Sequence, residues 1–218
     1  MLRVLQFIVG VLDTNCYLVY DETSKDAIVI DPGGEVEEIV HWIDKLGLIP
    51  RAIIATHGHF DHVLGVNKLK ERYNIAFYMH KNDLEISRIS MNWLRIWGLE
   101  PPQDAIEPDN LLYEDTQLVF GTITLRILWT PGHTPGSISI FIPSEKMLFS
   151  GDTLFAGTIG RTDLIGGSEK ELIKSIKKIY SLIPIDSYVY PGHGPETTLK
   201  CELRANPFIE DALKVEDL

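Results

Sequence analysis

Residues 51–62 read RAIIATHGHFDH, an apolar, β-branched run that breaks into three histidines and an aspartate within six positions. The chain has only seven histidines in 218 residues, so this crowding of His57, His59, Asp61 and His62 is no by-product of composition. Three further apolar runs end in the same way. LRILWTPG leads into His133, KMLFSG into Asp152 and SYVYPG into His193. In these three runs a glycine precedes the polar residue, which allows a sharp turn and close backbone approach. A fold that gathers four strand ends on one edge is tightly constrained. It needs layered sheets with helices outside, and a site beyond the strand termini.

Five imidazoles and two carboxylates make a borderline-hard nitrogen and oxygen array, suited to zinc first, with iron or manganese as alternatives. His57 and His59, two residues apart on an extended segment, can face the same ion. Asp61 and His62, adjacent at the start of a helix, face elsewhere and suit a second ion. His133 and His193 can complete one ion each. Asp152, with two oxygens, is the natural bridge, so the pattern predicts two divalent ions per chain with a hydroxide clamped between them. Taken singly, these residues have bland roles: Asp61 as a helix cap, Asp152 as a turn residue. Together they form a metal nest. His41, on a predicted helix, and His80, at a strand end outside the pattern, are read as bystanders.

The remaining sequence places this nest in one domain spanning residues 1–218. VLQFIVGVL (4–12) reads as a buried first strand rather than a signal peptide, because no small-residue cleavage site follows it. Helical periodicity marks 35–48, 63–74 and 81–89, and Ser168 with Glu171 forms a capping box opening a helix over 168–182. The stretch 91–110, with Trp93, Trp97 and Pro101-Pro102, reads as a loop or lid. A last short helix ends at Pro207. Cys16 and Cys201 are too few for a disulfide framework, fit a reducing cytosol, and are expected to pack as small hydrophobes. A net charge of −11 argues against nucleic acid as partner, and no apolar run reaches the roughly 20 residues of a membrane span.

The motifs THGHFDH, TPGHTPGS, SGDTLFAGTIGRTDL and YPGHG resemble those of the metallo-β-lactamase superfamily. With TNCYLV, IDPGG and PGHGPETTLKCELRANP, the whole chain resembles its glyoxalase II-like branch, the hydroxyacylglutathione hydrolases. The resemblance implies an α/β fold of the αββα four-layer sandwich type. It implies His57, His59 and His133 on metal one, Asp61, His62 and His193 on metal two, and Asp152 as bridge. Asp152 stands where true β-lactamases typically use Cys, which argues against antibiotic hydrolysis. His59 stands where oxygen-reducing diiron relatives use Glu. Full-length glyoxalase II continues into a C-terminal helical domain, whereas this chain ends at Leu218 in the acidic run EDALKVEDL.

The expected activity is hydrolysis of a small-molecule thioester such as S-lactoylglutathione by a metal-bound hydroxide, in the cytoplasm. Asp61 would also orient the hydroxide or relay its proton. The substrate wall would come from Trp93 and Trp97 on one side and Phe155 and Arg161 on the other, with Arg161 pairing a glutathione carboxylate. Such a wall of short loops predicts activity on several thioesters, with KM at or above the usual upper range of ~1 mM. The alternative is a mononuclear-iron persulfide dioxygenase of the same fold, whose resemblance includes the GRTDL stretch and so leaves Arg161 and Asp163 undecided. The pattern is silent on oligomeric state.

Overall fold

The computed structural model describes residues 1–103 and 105–214, so the last four residues of the acidic run lie outside the described residues. Two six-stranded sheets face each other. In the first, β1 (Leu2–Val9), β2 (Thr14–Asp21) and β3 (Asp26–Ile30) form an antiparallel meander. It continues in parallel through β4 (Ile49–Ile54), β5 (Ala76–His80) and β6 (Asn110–Leu112). Helix α1 (Glu37–Leu46) makes the β3–β4 crossover, while α2 (Phe60–Val63) and α3 (Val66–Tyr73) make the next. Lys81–Asp83 (3₁₀), α4 (Leu84–Ser90) and the 3₁₀ segment Met91–Trp97 then lead towards β6.

The second sheet is built from β7 (Thr116–Phe120), β8 (Ile123–Trp129), β9 (Ile138–Ile142) and β10 (Met147–Gly151), all antiparallel. A small hairpin, β11 (Leu154–Phe155) and β12 (Thr158–Ile159), precedes helix α5 (Glu169–Leu182). The chain then returns as β13 (Tyr188–Pro191), parallel to β10, and β14 (Thr197–Thr198). Helices α6 (Leu199–Ala205) and α7 (Pro207–Lys214) follow.

Strand periodicity explains the layers, because alternate side chains face opposite sides of a sheet. In β3, Ile28 and Ile30 join Ile54, Ile127, Ile140 and Phe149 between the sheets. Ala27 and Val29 face the other way, into a core with Ile39, Ile43 and Leu69 from α1 and α3. On the far side, Phe141 and Leu148 pack against Leu172, Ile176 and Ile179 of α5. Three cores separate four layers, and the expected αββα sandwich is the fold observed.

Several local expectations are corrected. β1 is an edge strand rather than a buried one, with Ile8 68% exposed. The helix predicted over 63–74 is broken between α2 and α3. Residues 91–97 are 3₁₀ helix rather than loop, anchored by buried Leu94. Cys16 is buried as expected, but Cys201 is exposed on α6. α6 does end before Pro207 as expected, but it is not the last helix: Pro207 opens α7, at a position where its missing N–H costs nothing. Ser168 caps α5 by accepting from Glu171 N–H, but the Glu171 carboxylate pairs with Lys174, so only half of the capping box forms. Among the described residues, no helix is long and apolar enough to cross a membrane.

Candidate metal centre

Strands from both sheets end at one edge, and His57, His59, Asp61, His62, His133, Asp152 and His193 meet there. Their atoms form the groups His57/His59/His133, Asp61/His62/His193 and His57/His62/Asp152, with each group's donors within 4.8 Å of one another. The packing leaves no room for a side chain at Gly192, where a Cβ would lie 2.1 Å from Asp152 Oδ1 and 2.8 Å from His62 Cε1. The glycine between β13 and His193 is therefore a requirement of close approach.

The hydrogen bonds behind the rings decide which nitrogen faces the centre. His133 Nδ1 donates to the Arg161 carbonyl at 2.8 Å, and His193 Nδ1 to the Leu12 carbonyl at 3.1 Å. Thr56 Oγ1 donates to Asp31 and so accepts from His57 Nδ1 at 3.3 Å. His62 Nδ1 lies 3.0 Å from Asp31 Oδ2, an ion-pair contact rather than a well-aligned hydrogen bond. Each of these partners draws the proton to Nδ1 and leaves the Nε2 lone pair facing inward.

His59 is turned the other way. Its Nδ1 lies 3.0 Å from His57 Nε2 and 3.0 Å from His133 Nε2. One proton on His59 can serve only one of those two lone pairs, so the triad carries uncompensated lone pairs that a cation would satisfy. Asp152 straddles both groups, with Oδ1 3.6 Å from His62 Nε2 and Oδ2 3.5 and 3.7 Å from His133 and His193 Nε2. Asp152 Oδ1 and His62 Nε2 are buried without a hydrogen-bond partner among the described residues. Buried polar atoms in that condition are costly. The donor set fits divalent metal.

Electrostatics point the same way. Burial holds His57 well below its ordinary range and brings His59 down to about 3, with His133 reinforcing the latter. Both rings are therefore neutral and able to ligate at neutral pH. Burial also opposes charge on His62, but Asp61, Asp31 and Asp152 outweigh it and push that ring up to about 10. Burial opposes ionisation of Asp61 too, yet His62 and His193 hold it well below the carboxylate range. The field that keeps an extra proton on His62 would equally hold a cation.

Supporting residues that motif reading did not single out fix the ligand loops. Asp31, from IDPGG, binds Thr56 N at 2.6 Å and Thr56 Oγ1 at 2.7 Å as well as contacting His62. Thr14 Oγ1 donates to Asp61 Oδ2 at 2.9 Å. Asn15 Nδ2 donates to the Pro191 and Gly194 carbonyls, and Tyr17 OH to Pro191, clamping the turn that carries His193. Asp83 is fully buried and accepts from Gly58 N, Thr134 Oγ1 and Gly136 N at 2.8, 2.6 and 2.6 Å. It ties the THGHFDH loop to the TPGHTPGS loop, and a Cβ on Gly136 would lie 2.6 Å from its carboxyl carbon. Asp31 sits in a quoted motif. No local pattern marks Asp83, whose partners are brought to it by folding.

A cavity of about 790 Å³ opens over the centre, and Trp93, Trp97, Phe155 and Arg161 all line it. The Trp93 ring lies 5.2 Å from that of His59, and Phe155 6.4 Å from that of His193. Arg161 and Asp163 form a two-pronged ion pair at 2.7 Å and 2.7 Å. The bystanders lie elsewhere. His41 is on the exposed face of α1 against Trp42. His80 is buried, accepts from Asn82 N and stacks on Trp129 at 5.2 Å.

The profile of the Metallo-beta-lactamase superfamily matches residues 9–193. The chain belongs to that superfamily, whose fold and clustered His and Asp side chains imply a divalent-metal enzyme of the metallo-hydrolase class. It is 37% identical over 210 residues to the probable metallo-hydrolase YqgX of Bacillus subtilis, covering 92% of this chain and 94% of that one. With hydroxyacylglutathione hydrolase GloC of Haemophilus influenzae it shares 36% identity over 199 residues, 89% and 92% of the two chains.

Among solved structures, BLEG-1 B3 metallo-β-lactamase matches with a TM-score of 0.85 at 37% identity, covering 96% and 99%. TTHA1623 in a di-iron-bound form matches at 0.84 and 41%, covering 94% and 100%. ETHE1 from Myxococcus xanthus matches at 0.78 and 25%, covering 98% and 92%.

Proposed function

We propose that this protein is a dinuclear metal-dependent hydrolase of thioesters of the S-acylglutathione type, S-lactoylglutathione included. The observation that carries this reading is the pair of convergent donor groups with Asp152 lying between them. The relation to GloC supports the glyoxalase II-like branch. His57, His59 and His133 would hold one ion and Asp61, His62 and His193 the other, with Asp152 shared. Zinc suits the donors, and the di-iron form of TTHA1623 makes iron the first alternative, ahead of manganese.

When bound, such ions lower the pKa of water towards about 7 and polarise an acyl carbonyl. The chain's own residues supply the rest. Asp152 fixes the spacing of the two donor groups from its place at the end of β10. Thr14 holds Asp61 Oδ2, so this carboxylate can orient the attacking water and relay its proton. The Arg161 and Leu12 carbonyls keep His133 and His193 in one ring orientation. Trp93, Trp97, Phe155 and Arg161 bound the space where substrate lies. A thiolate departs more readily than an amine, which favours thioesters over amides.

β-Lactam opening is the second reading, favoured by the likeness to BLEG-1. The persulfide dioxygenase alternative needs one iron, against two complete donor groups here. The deciding experiment loads the protein with zinc, iron or manganese and combines elemental analysis with a screen of glutathione, coenzyme A and small thioesters, a chromogenic cephalosporin, and oxygen uptake. Two ions per chain with thioester cleavage is the expected result. One iron with oxygen uptake, or β-lactam cleavage alone, would replace this reading. The substrate is expected to be a small molecule met in the cytoplasm.

A further inference from the structure

The cavity over the centre has unusually one-sided chemistry. Apart from the metal-facing side chains and Arg161, its walls are apolar: Trp93, Ile96 and Trp97 on the 3₁₀ side, Phe155, Ile159 and Leu164 on the other. Ile96 is 79% and Trp97 51% exposed, so water covers this apolar surface until a ligand does. Arg161 is the one Arg or Lys in the lining among the described residues, and its Nε and one Nη already engage Asp163. The chain as a whole carries −11. Glutathione brings two carboxylates and coenzyme A several phosphates, and sites that grip such groups use unpaired Arg or Lys. This wall offers none.

Trp93 lies against His59 and Phe155 against His193, so the apolar wall begins at the ligand rings themselves. An acyl group laid along that wall is in apolar contact from its first carbon outward. The charged ends of a thiol carrier are several bonds further out.

We propose that the site recognises the acyl arm of its thioester rather than the thiol carrier, and that this arm is apolar, an aromatic or medium-chain aliphatic acyl group. The inference rests on the thioesterase reading above and names the substrate class within it. In the reaction water adds to the carbonyl carbon, the C–S bond breaks, and the water's proton ends on the departing thiolate, giving a carboxylic acid and a thiol. Each methylene newly buried against the wall adds roughly 0.8 kcal/mol, about a fourfold gain.

The test is a matrix of lactoyl, acetyl, hexanoyl and phenylacetyl thioesters on glutathione, coenzyme A and N-acetylcysteamine, hydrolysed by the metal-loaded full chain. On any one carrier, kcat/KM should rise at least about tenfold from acetyl to hexanoyl and phenylacetyl. For any one acyl group it should differ less than about threefold between carriers. Ile96→Ala with Trp97→Ala, both at exposed positions, should erase most of the acyl preference. Asp163→Asn should free Arg161 and lower KM selectively for glutathione thioesters. S-lactoylglutathione as the best substrate, or a tenfold dependence on carrier, would overturn the inference while leaving the thioesterase reading intact. Cleavage of none of these thioesters would overturn both.

Discussion

At the residue scale the seven convergent side chains are not equivalent, and Asp152 carries the most specific consequence. It approaches His133 of one donor group and His62 and His193 of the other. Asp152→Ala should leave the fold intact, because its neighbours come from separate strand ends. It should reduce bound metal below two ions per chain and cut turnover by orders of magnitude. Unchanged metal content and activity would show that Asp152 is no bridge. Asp83 touches no candidate ligand atom, yet it joins the two loops that carry His57, His59 and His133. Asp83→Asn keeps the shape but sets an amide against backbone donors, and should cost about 10–100-fold in metal affinity or activity. His41→Gln and His80→Gln should change turnover little, and a metal-linked defect at His80 would mean that the candidate set is wrong. The convergent residues were legible because four strand-end signals repeat. Asp83 was not, since its three partners lie 25, 51 and 53 positions away in the chain.

At the element scale, legibility followed how local the determining interactions are. Helix α1 shows its apolar spacing and its Gly47 stop directly, and β3 and β9, buried along their whole length, read as apolar but for Asp26 and Ser139. Met91–Trp97 escaped because a 3₁₀ turn holding one buried residue, Leu94, has no 3.6-residue stripe to read. Pro207 is ambiguous by nature: the ring that ends one helix suits the first turn of the next. The edge position of β1 depends on sheet order, which no local pattern encodes. Helix α5 offers a clean energetic test. Ser168→Ala removes the one side-chain bond to Glu171 N–H and should lower stability by about 0.5–2 kcal/mol in urea unfolding. Metal content should not change, because Ser168 N–H still donates to the Gly132 carbonyl beside His133. A loss of metal in that variant would mean that the cap itself, and not the backbone contact, holds the His133 loop.

At the scale of the whole molecule, the candidate centre lies where the two sheets meet. His57, His59, Asp61 and His62 follow β4 of the first sheet, whereas His133, Asp152 and His193 follow β8, β10 and β13 of the second. Each three-residue group that excludes Asp152 draws members from both sheets. Metal there is a cross-link between the two halves of the sandwich as well as a source of reactivity. The inter-sheet core of Ile30, Ile54, Ile138 and Phe149 supplies apolar contact between the sheets, so the fold should survive without metal. What changes is the edge, where buried lone pairs and carboxylate oxygens face one another. A ligand that binds only the folded chain stabilises it by RT ln(1 + [L]/Kd), about 4 kcal/mol at a thousandfold excess over Kd. For a chain of this size, with roughly 2–4 °C per kcal/mol, chelation should lower Tm by on the order of 10 °C. Returning zinc, iron or manganese should restore it. The Asp152→Ala variant should show a smaller drop, because it starts with less metal. A Tm indifferent to chelator, in a protein shown to have lost its ions, would mean that the two sheets are held together without any help from this edge.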